Sequence, residues 1–133
     1  MANSLLEILQ NDFPEFKFCS GHKFLFRPPH TILYDENDPN FDSLILHELG
    51  HALLHHFTFK TDIERLKMER AAWDKALELA SKLGVVINQD LIEVELDSYR
   101  NWLHVKTKCK KCGLTRYQTP DGKYHCPHCN HLQ

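Results

Sequence analysis

The spacing of apolar residues changes several times along this chain, and each change predicts an element. Leu5, Leu6, Ile8 and Leu9 recur at helical spacing and stop short of Pro14, which predicts a short opening helix. Three aromatic or β-branched runs follow, Phe16 to Cys19, Phe24 to Phe26 and Thr31 to Tyr34, separated by Ser20-Gly21 and Pro28-Pro29. Phe16 and Phe18 alternate, so the runs predict a small antiparallel meander with Cys19 as a core thiol. Asp35 to Asp42 is polar and turn-forming, and Asp42 or Ser43 is placed to cap the element that comes next.

From Ser43 to Phe57 the apolar positions Leu44, Ile45, Leu46, Ala52, Leu53, Leu54 and Phe57 leave no wide polar face. A helix of that kind runs through the middle of a domain. After a break near Thr58 to Asp62, a second long helix is predicted from about Ile63 to Leu83, with Leu66, Trp73, Ala76, Ala80 and Leu83 on one stripe. Gly84 ends it, and a third helix is predicted from about Gln89 to Trp102. The remainder reads as two strand-like runs around Pro120-Asp121-Gly122, a hairpin signal. The fold class is therefore α+β: a small antiparallel sheet packed on helices over residues 1–104, and a hairpin appendage over 105–133.

The buried helix carries His47-Glu48-Leu49-Gly50-His51. Histidines four apart share a helix face, so both imidazoles can ligate one metal ion, and the glutamate between them can take a proton from a water activated there. This is the H-E-x-x-H arrangement of zinc hydrolases. With ten histidines in 133 residues, a blind match is expected only about 0.05 times. Burying His, Glu and His without partners costs several kcal/mol, so they need a metal or a hydrogen-bond network. Gly50, costly inside a helix, marks a close packing approach. His55 lies a turn beyond the pair and is expected to support it without ligating; His56 is expected to face solvent.

A third ligand has to come from elsewhere. Glu69 fills the slot between Leu66 and Trp73 on the core stripe of the second long helix, and a carboxylate there requires a partner. Zinc on His47 and His51 supplies one, giving a His₂Glu site with an open fourth position; a salt bridge to Arg65 or Arg70 is the alternative. Glu64 and Asp74 point elsewhere around the helix.

Charge divides the chain. Residues 1–98 hold nine Lys and Arg against seventeen Asp and Glu, net −8; residues 99–133 hold seven against Asp121 alone, net +6, for a total of −2. Four of the five cysteines lie in that basic tail as Cys109-x-x-Cys112 and Cys126-x-x-Cys129, thirteen residues apart. Two such pairs joined by a hairpin make a zinc ribbon, whose four thiolates close the coordination of a structural zinc. Two zinc ions per chain are thus expected. The chain has no secretory pattern at its start and no apolar run of about 18 residues, so a cytoplasmic protein without a membrane partner is expected.

Residues 30–83 resemble the ImmA/IrrE family of metallopeptidases. The likeness rests on Thr31-Ile32-Leu33-Tyr34, the polar loop, His47 to His55, and Glu69-Arg70-Ala71-Ala72-Trp73 in the place of that family's E-x-x-A stretch. It implies His47, His51 and Glu69 as ligands and Glu48 as general base. It further implies a phage or mobile-element setting and a protein substrate, a helix-turn-helix transcriptional repressor cleaved by endoproteolysis. The ribbon is not part of that family's pattern. SprT-like proteases also join H-E-x-x-H to a ribbon and act near DNA, but their third ligand is a histidine, and none occurs between His56 and His104. A zinc protein that binds and inactivates a repressor without cutting it is the non-enzymatic reading.

Three details of use remain open. The strand Thr31 to Tyr34 is expected to lend its edge to a substrate backbone. Tyr34, Tyr99 and His104 are unranked candidates for oxyanion donor. Lys108, Lys110, Lys111 and Arg116 are expected to recruit DNA or an acidic protein face.

Overall fold

The computed structural model describes residues 4–129 and runs, in order, α1 (Ser4–Asp12), β1 (Lys17–Ser20), β2 (Leu25–Arg27), β3 (Thr31–Tyr34), α2 (Phe41–Leu53), α3 (Asp62–Leu83), α4 (Gln89–Thr107), β4 (Tyr117–Gln118) and β5 (Tyr124–His125). The class is α+β, as the changes of period predict. The chain separates into two compact units. One takes the described residues up to Phe57 together with Ala71–Asn88; the other takes Thr58–Arg70 and the described residues from Gln89 onward. The predicted boundary at 104/105 falls inside α4, which continues to Thr107.

In the first unit the sheet is mixed, not the antiparallel meander that the runs predict. Its order is β1-β3-β2, with β1 parallel to β3 in the register Phe18 opposite Ile32, and β2 antiparallel to β3 with Phe26 opposite Ile32. Burial explains the order. Ile32 is wholly inaccessible and Tyr34 nearly so, whereas both ends of β1 are exposed, so the strand with most to hide takes the centre. Being paired on both sides, β3 has no free edge to lend to a substrate, contrary to the expectation for Thr31 to Tyr34. Cys19 is half-buried beside Leu33.

Beneath the sheet lies α2, and ten of its residues are buried. Gly50 is why it can approach α3 closely: a Cβ there would stand 2.6 Å from the carbonyl oxygen of Ala72. The buried stripe of this part of α3 is Ala72, Trp73, Ala76, Leu79 and Ala80, and Gly84, at φ +71°, turns the chain out of the helix.

The second unit is built on the start of α3, α4 and the hairpin. Tyr117 opposes His125 and Gln118 opposes Tyr124 in the two-stranded sheet. Asp62, in the first turn of α3 and buried, joins the parts: its carboxylate accepts the Tyr124 hydroxyl at 2.5 Å and lies 2.9 Å from Lys106 Nζ, while its N–H donates to Gln118 Oε1 at 2.7 Å. The Arg116 side chain donates to the carbonyls of Lys106 and Thr107, the last residues of α4. A cation at that end suits the helix dipole and the unfilled carbonyls. Among the described residues no helix is long and apolar enough to cross a membrane.

Candidate metal centres

Helical spacing brings the two histidines of α2 together. His47 Nε2 and His51 Nε2 are 3.2 Å apart, and both residues are buried. Two imidazole nitrogens at about 2.05 Å from one zinc ion and separated in this way subtend about 100°, near the tetrahedral angle. Each ring is held from outside. Trp73 stacks on His47 with centroids 4.2 Å apart and planes 26° from parallel. His51 turns its other nitrogen, Nδ1, to His56 Nδ1 at 2.9 Å.

That second support comes from how α2 ends. Leu54 caps the helix and His55 adopts a left-handed conformation, φ +57°. The His56 N–H then donates to the His51 carbonyl at 3.0 Å and the His55 N–H to Ala52 at 3.2 Å. This is the paired bonding of a Schellman turn, and it folds His56 back over the turn that carries His51. The roles expected of the two residues are thus exchanged: His56 supports the pair, and the exposed His55 packs edge-on against Phe57 instead.

Glu48 is buried beside them, with its oxygens divided between two tasks. Oε1 accepts the backbone N–H of Phe26 at 2.8 Å, and Oε2 lies 4.0 Å from His47 Nε2. The N–H of Phe26 is on the side of β2 away from β3, so the sheet positions one oxygen and leaves the other facing the histidines. His47, Glu48 and His51 form a group whose ligand atoms all lie within 4.8 Å of one another. The donor set, two imidazoles and a carboxylate in a buried site, suits zinc.

Glu69 is buried on α3, within the segment assigned to the second unit. There it neighbours Tyr99 of α4, whose phenol is pushed up to about 12, by burial first and then by the Glu69 charge. Arg65 lies over the Tyr99 ring, 5.2 Å from its centroid. Of the other oxyanion candidates, Tyr34 is buried edge-on to Phe41, and His104 is exposed on α4.

The second candidate centre is Cys109, Cys112, Cys126 and Cys129. Sulfur pairs stand 3.9 Å apart (Cys109 and Cys129) and 3.5 Å apart (Cys112 and Cys126). Disulfides need about 2.05 Å, whereas thiolates around one tetrahedral zinc at about 2.3 Å are about 3.8 Å apart. The Cys129 N–H donates to Cys126 Sγ at 3.3 Å, and that bond, with one from His128, holds the Cys126 thiol below its ordinary value, whereas burial and the neighbouring sulfurs push the Cys129 thiol up to about 12.

Some of this is invisible to pattern reading. Trp73 is legible as a core residue, but its stack on His47 is not. Finding His56 requires locating the end of α2, and no glycine marks that end. Comparison of this chain with protein-family models, with curated proteins and with solved structures finds no match in any of the three.

Proposed function

We propose that this chain is a zinc-dependent endopeptidase of the ImmA/IrrE kind that cleaves a regulatory protein, a helix-turn-helix repressor in the simplest case. The observation that carries the reading is the convergence of His47 Nε2 and His51 Nε2 at 3.2 Å beside a glutamate fixed by a backbone N–H. Glu48 turns its other oxygen, Oε2, to within 4.0 Å of His47 Nε2.

His47 and His51 hold the metal in this proposal, and the family resemblance implies Glu69 as third ligand. A zinc ion so held supplies a Lewis acid for water and for a peptide carbonyl. Glu48 is the general base: Oε2 would take a proton from the attacking water and pass it to the leaving amine, with the Phe26 N–H keeping the carboxylate in place. With β3 enclosed, the strand nearest this chemistry is β2, whose outer side carries that same Phe26 N–H.

The test pairs two substitutions. Glu48→Gln is expected to keep zinc and abolish cleavage of a repressor substrate, while Glu69→Gln loses zinc from the histidine site. Undiminished cleavage by Glu48→Gln would refute the base. Full zinc retention by Glu69→Gln would return Glu69 to Tyr99 and Arg65 as a structural carboxylate. Binding of repressor by both forms with no peptide fragments from either would replace the enzyme with a binder.

A further inference from the structure

The ribbon hairpin has two faces, and the interactions that build the second unit use one of them. Gln118 and Tyr124 oppose each other and reach Asp62; Arg116 reaches the end of α4 and lies over the Tyr124 ring, 4.7 Å from its centroid. Side chains alternate along a strand, so Thr115, Tyr117 and Thr119 point the other way. Register adds His125 opposite Tyr117 and Lys108 opposite Thr115, and the Thr119 N–H bonds the Lys123 carbonyl at 2.9 Å.

The outer face therefore presents Lys108, Tyr117, His125 and Lys123, with Lys110 and Lys111 in the adjoining knuckle. All four lysines are exposed, and Tyr117 is 54% exposed. The one carboxylate in residues 106–129, Asp121, is occupied at the turn by Thr119 and by the Lys123 N–H. Arg116 and Lys106, which sequence alone would add to the basic surface, are engaged inward.

Lysines by themselves are most simply solvated. The aromatic pair is different: the Tyr117 ring lies on His125 with centroids 5.4 Å apart and planes 24° from parallel. A flat, exposed π-surface bordered by cations complements a ligand that joins flat bases to phosphates. A duplex keeps its base faces inside its own stack, so only an unpaired base can use the ring. We propose that the outer face of the ribbon hairpin binds single-stranded nucleic acid. A base stacks on Tyr117, and neighbouring phosphates meet Lys108, Lys123, Lys110 and Lys111. The proposal stands independently of the peptidase reading, since no residue of the histidine site takes part.

Fluorescence anisotropy with labelled oligothymidylate and the full zinc-loaded chain tests it. Binding at low salt is expected, weaker for a duplex of equal length, and the same in Glu48→Gln, so that the result is read apart from catalysis. Tyr117→Ala should weaken binding about tenfold, while Tyr117→Phe, which keeps the ring, should not. Lys110→Gln with Lys111→Gln should make the log–log dependence of affinity on salt shallower, by about 0.7 in slope for each phosphate no longer neutralised. Zinc content, measured on every variant, should be unchanged. The proposal is overturned if no oligonucleotide binds at low salt, if Tyr117→Ala binds as well as the parent, or if the duplex binds more tightly. Polyglutamate binding as tightly as oligothymidylate would likewise overturn it and assign the face to an acidic protein.

Discussion

His51 and Glu48 are each held by a neighbour outside the candidate metal group. The His56 ring orients His51 through the nitrogen opposite the one facing His47. Partners of this kind typically change metal affinity about 10- to 100-fold. His56→Ala is therefore expected to weaken zinc binding at the histidine site by that order, and His55→Ala to leave it unchanged, as competition with a chromophoric chelator would measure. Equal affinities for the two variants would remove His56 from the site. Gly50 is subject to a steric condition instead. An added methyl would stand 2.6 Å from the Ala72 carbonyl oxygen, which belongs to helix backbone and cannot swing aside. Gly50→Ala is expected to destabilise the chain by about 1–3 kcal/mol, the usual cost of overpacking. An unchanged urea midpoint would show that the two helices can part at no cost.

Among the elements, helices are legible in the sequence and strand order is not. A stripe such as Trp73, Ala76 and Ala80 is written in consecutive turns, whereas the parallel pairing of β1 with β3 depends on which strand the core covers most. The H-E-x-x-H spacing and the paired cysteines are legible because the members of each motif are close in sequence. The support from His56 and the Phe26 N–H is not, since the first needs a left-handed residue at 55 and the second needs a strand edge placed against α2. The predicted end of α4 at Trp102 is too early for a similar reason: Arg116, distant in sequence, satisfies the carbonyls of its last turn. Asp62 yields a prediction at this scale. Burial pushes its carboxyl up, but the Tyr124 hydroxyl and Lys106 outweigh that and set it below the ordinary 3.8. The folded value lies below the unfolded one, so the carboxylate contributes stability above the ordinary range and loses it as pH falls through and below 3.8. The gap in urea midpoint between wild type and Asp62→Asn is expected to be widest near neutral pH and to close on acidification. A gap that stays constant would mean that Tyr124 and Lys106 do not favour the charged form.

At the scale of the whole molecule, the two metal centres share no residue. One candidate group, His47, Glu48 and His51, lies on α2; the other, Cys109, Cys112, Cys126 and Cys129, lies in the C-terminal part of the second unit. Their donors differ as well: four cysteine sulfurs in one group, two imidazoles and a carboxylate in the other. Independent sites make the stoichiometry additive. Elemental analysis of protein purified without added metal should find two zinc ions per chain, one for each donor group. Replacing His47 and His51 with alanine should remove one ion and leave the ribbon's, with the Tyr124–Asp62 hydrogen bond and the fold of the second unit intact by circular dichroism. Replacing Cys109 and Cys126 with serine should remove the other and loosen that unit, because these two buried cysteines flank the hairpin that holds Tyr124 and Gln118 against Asp62. A single zinc that survives loss of all four cysteines would refute the ribbon centre, and a single zinc that survives loss of both histidines would refute the other.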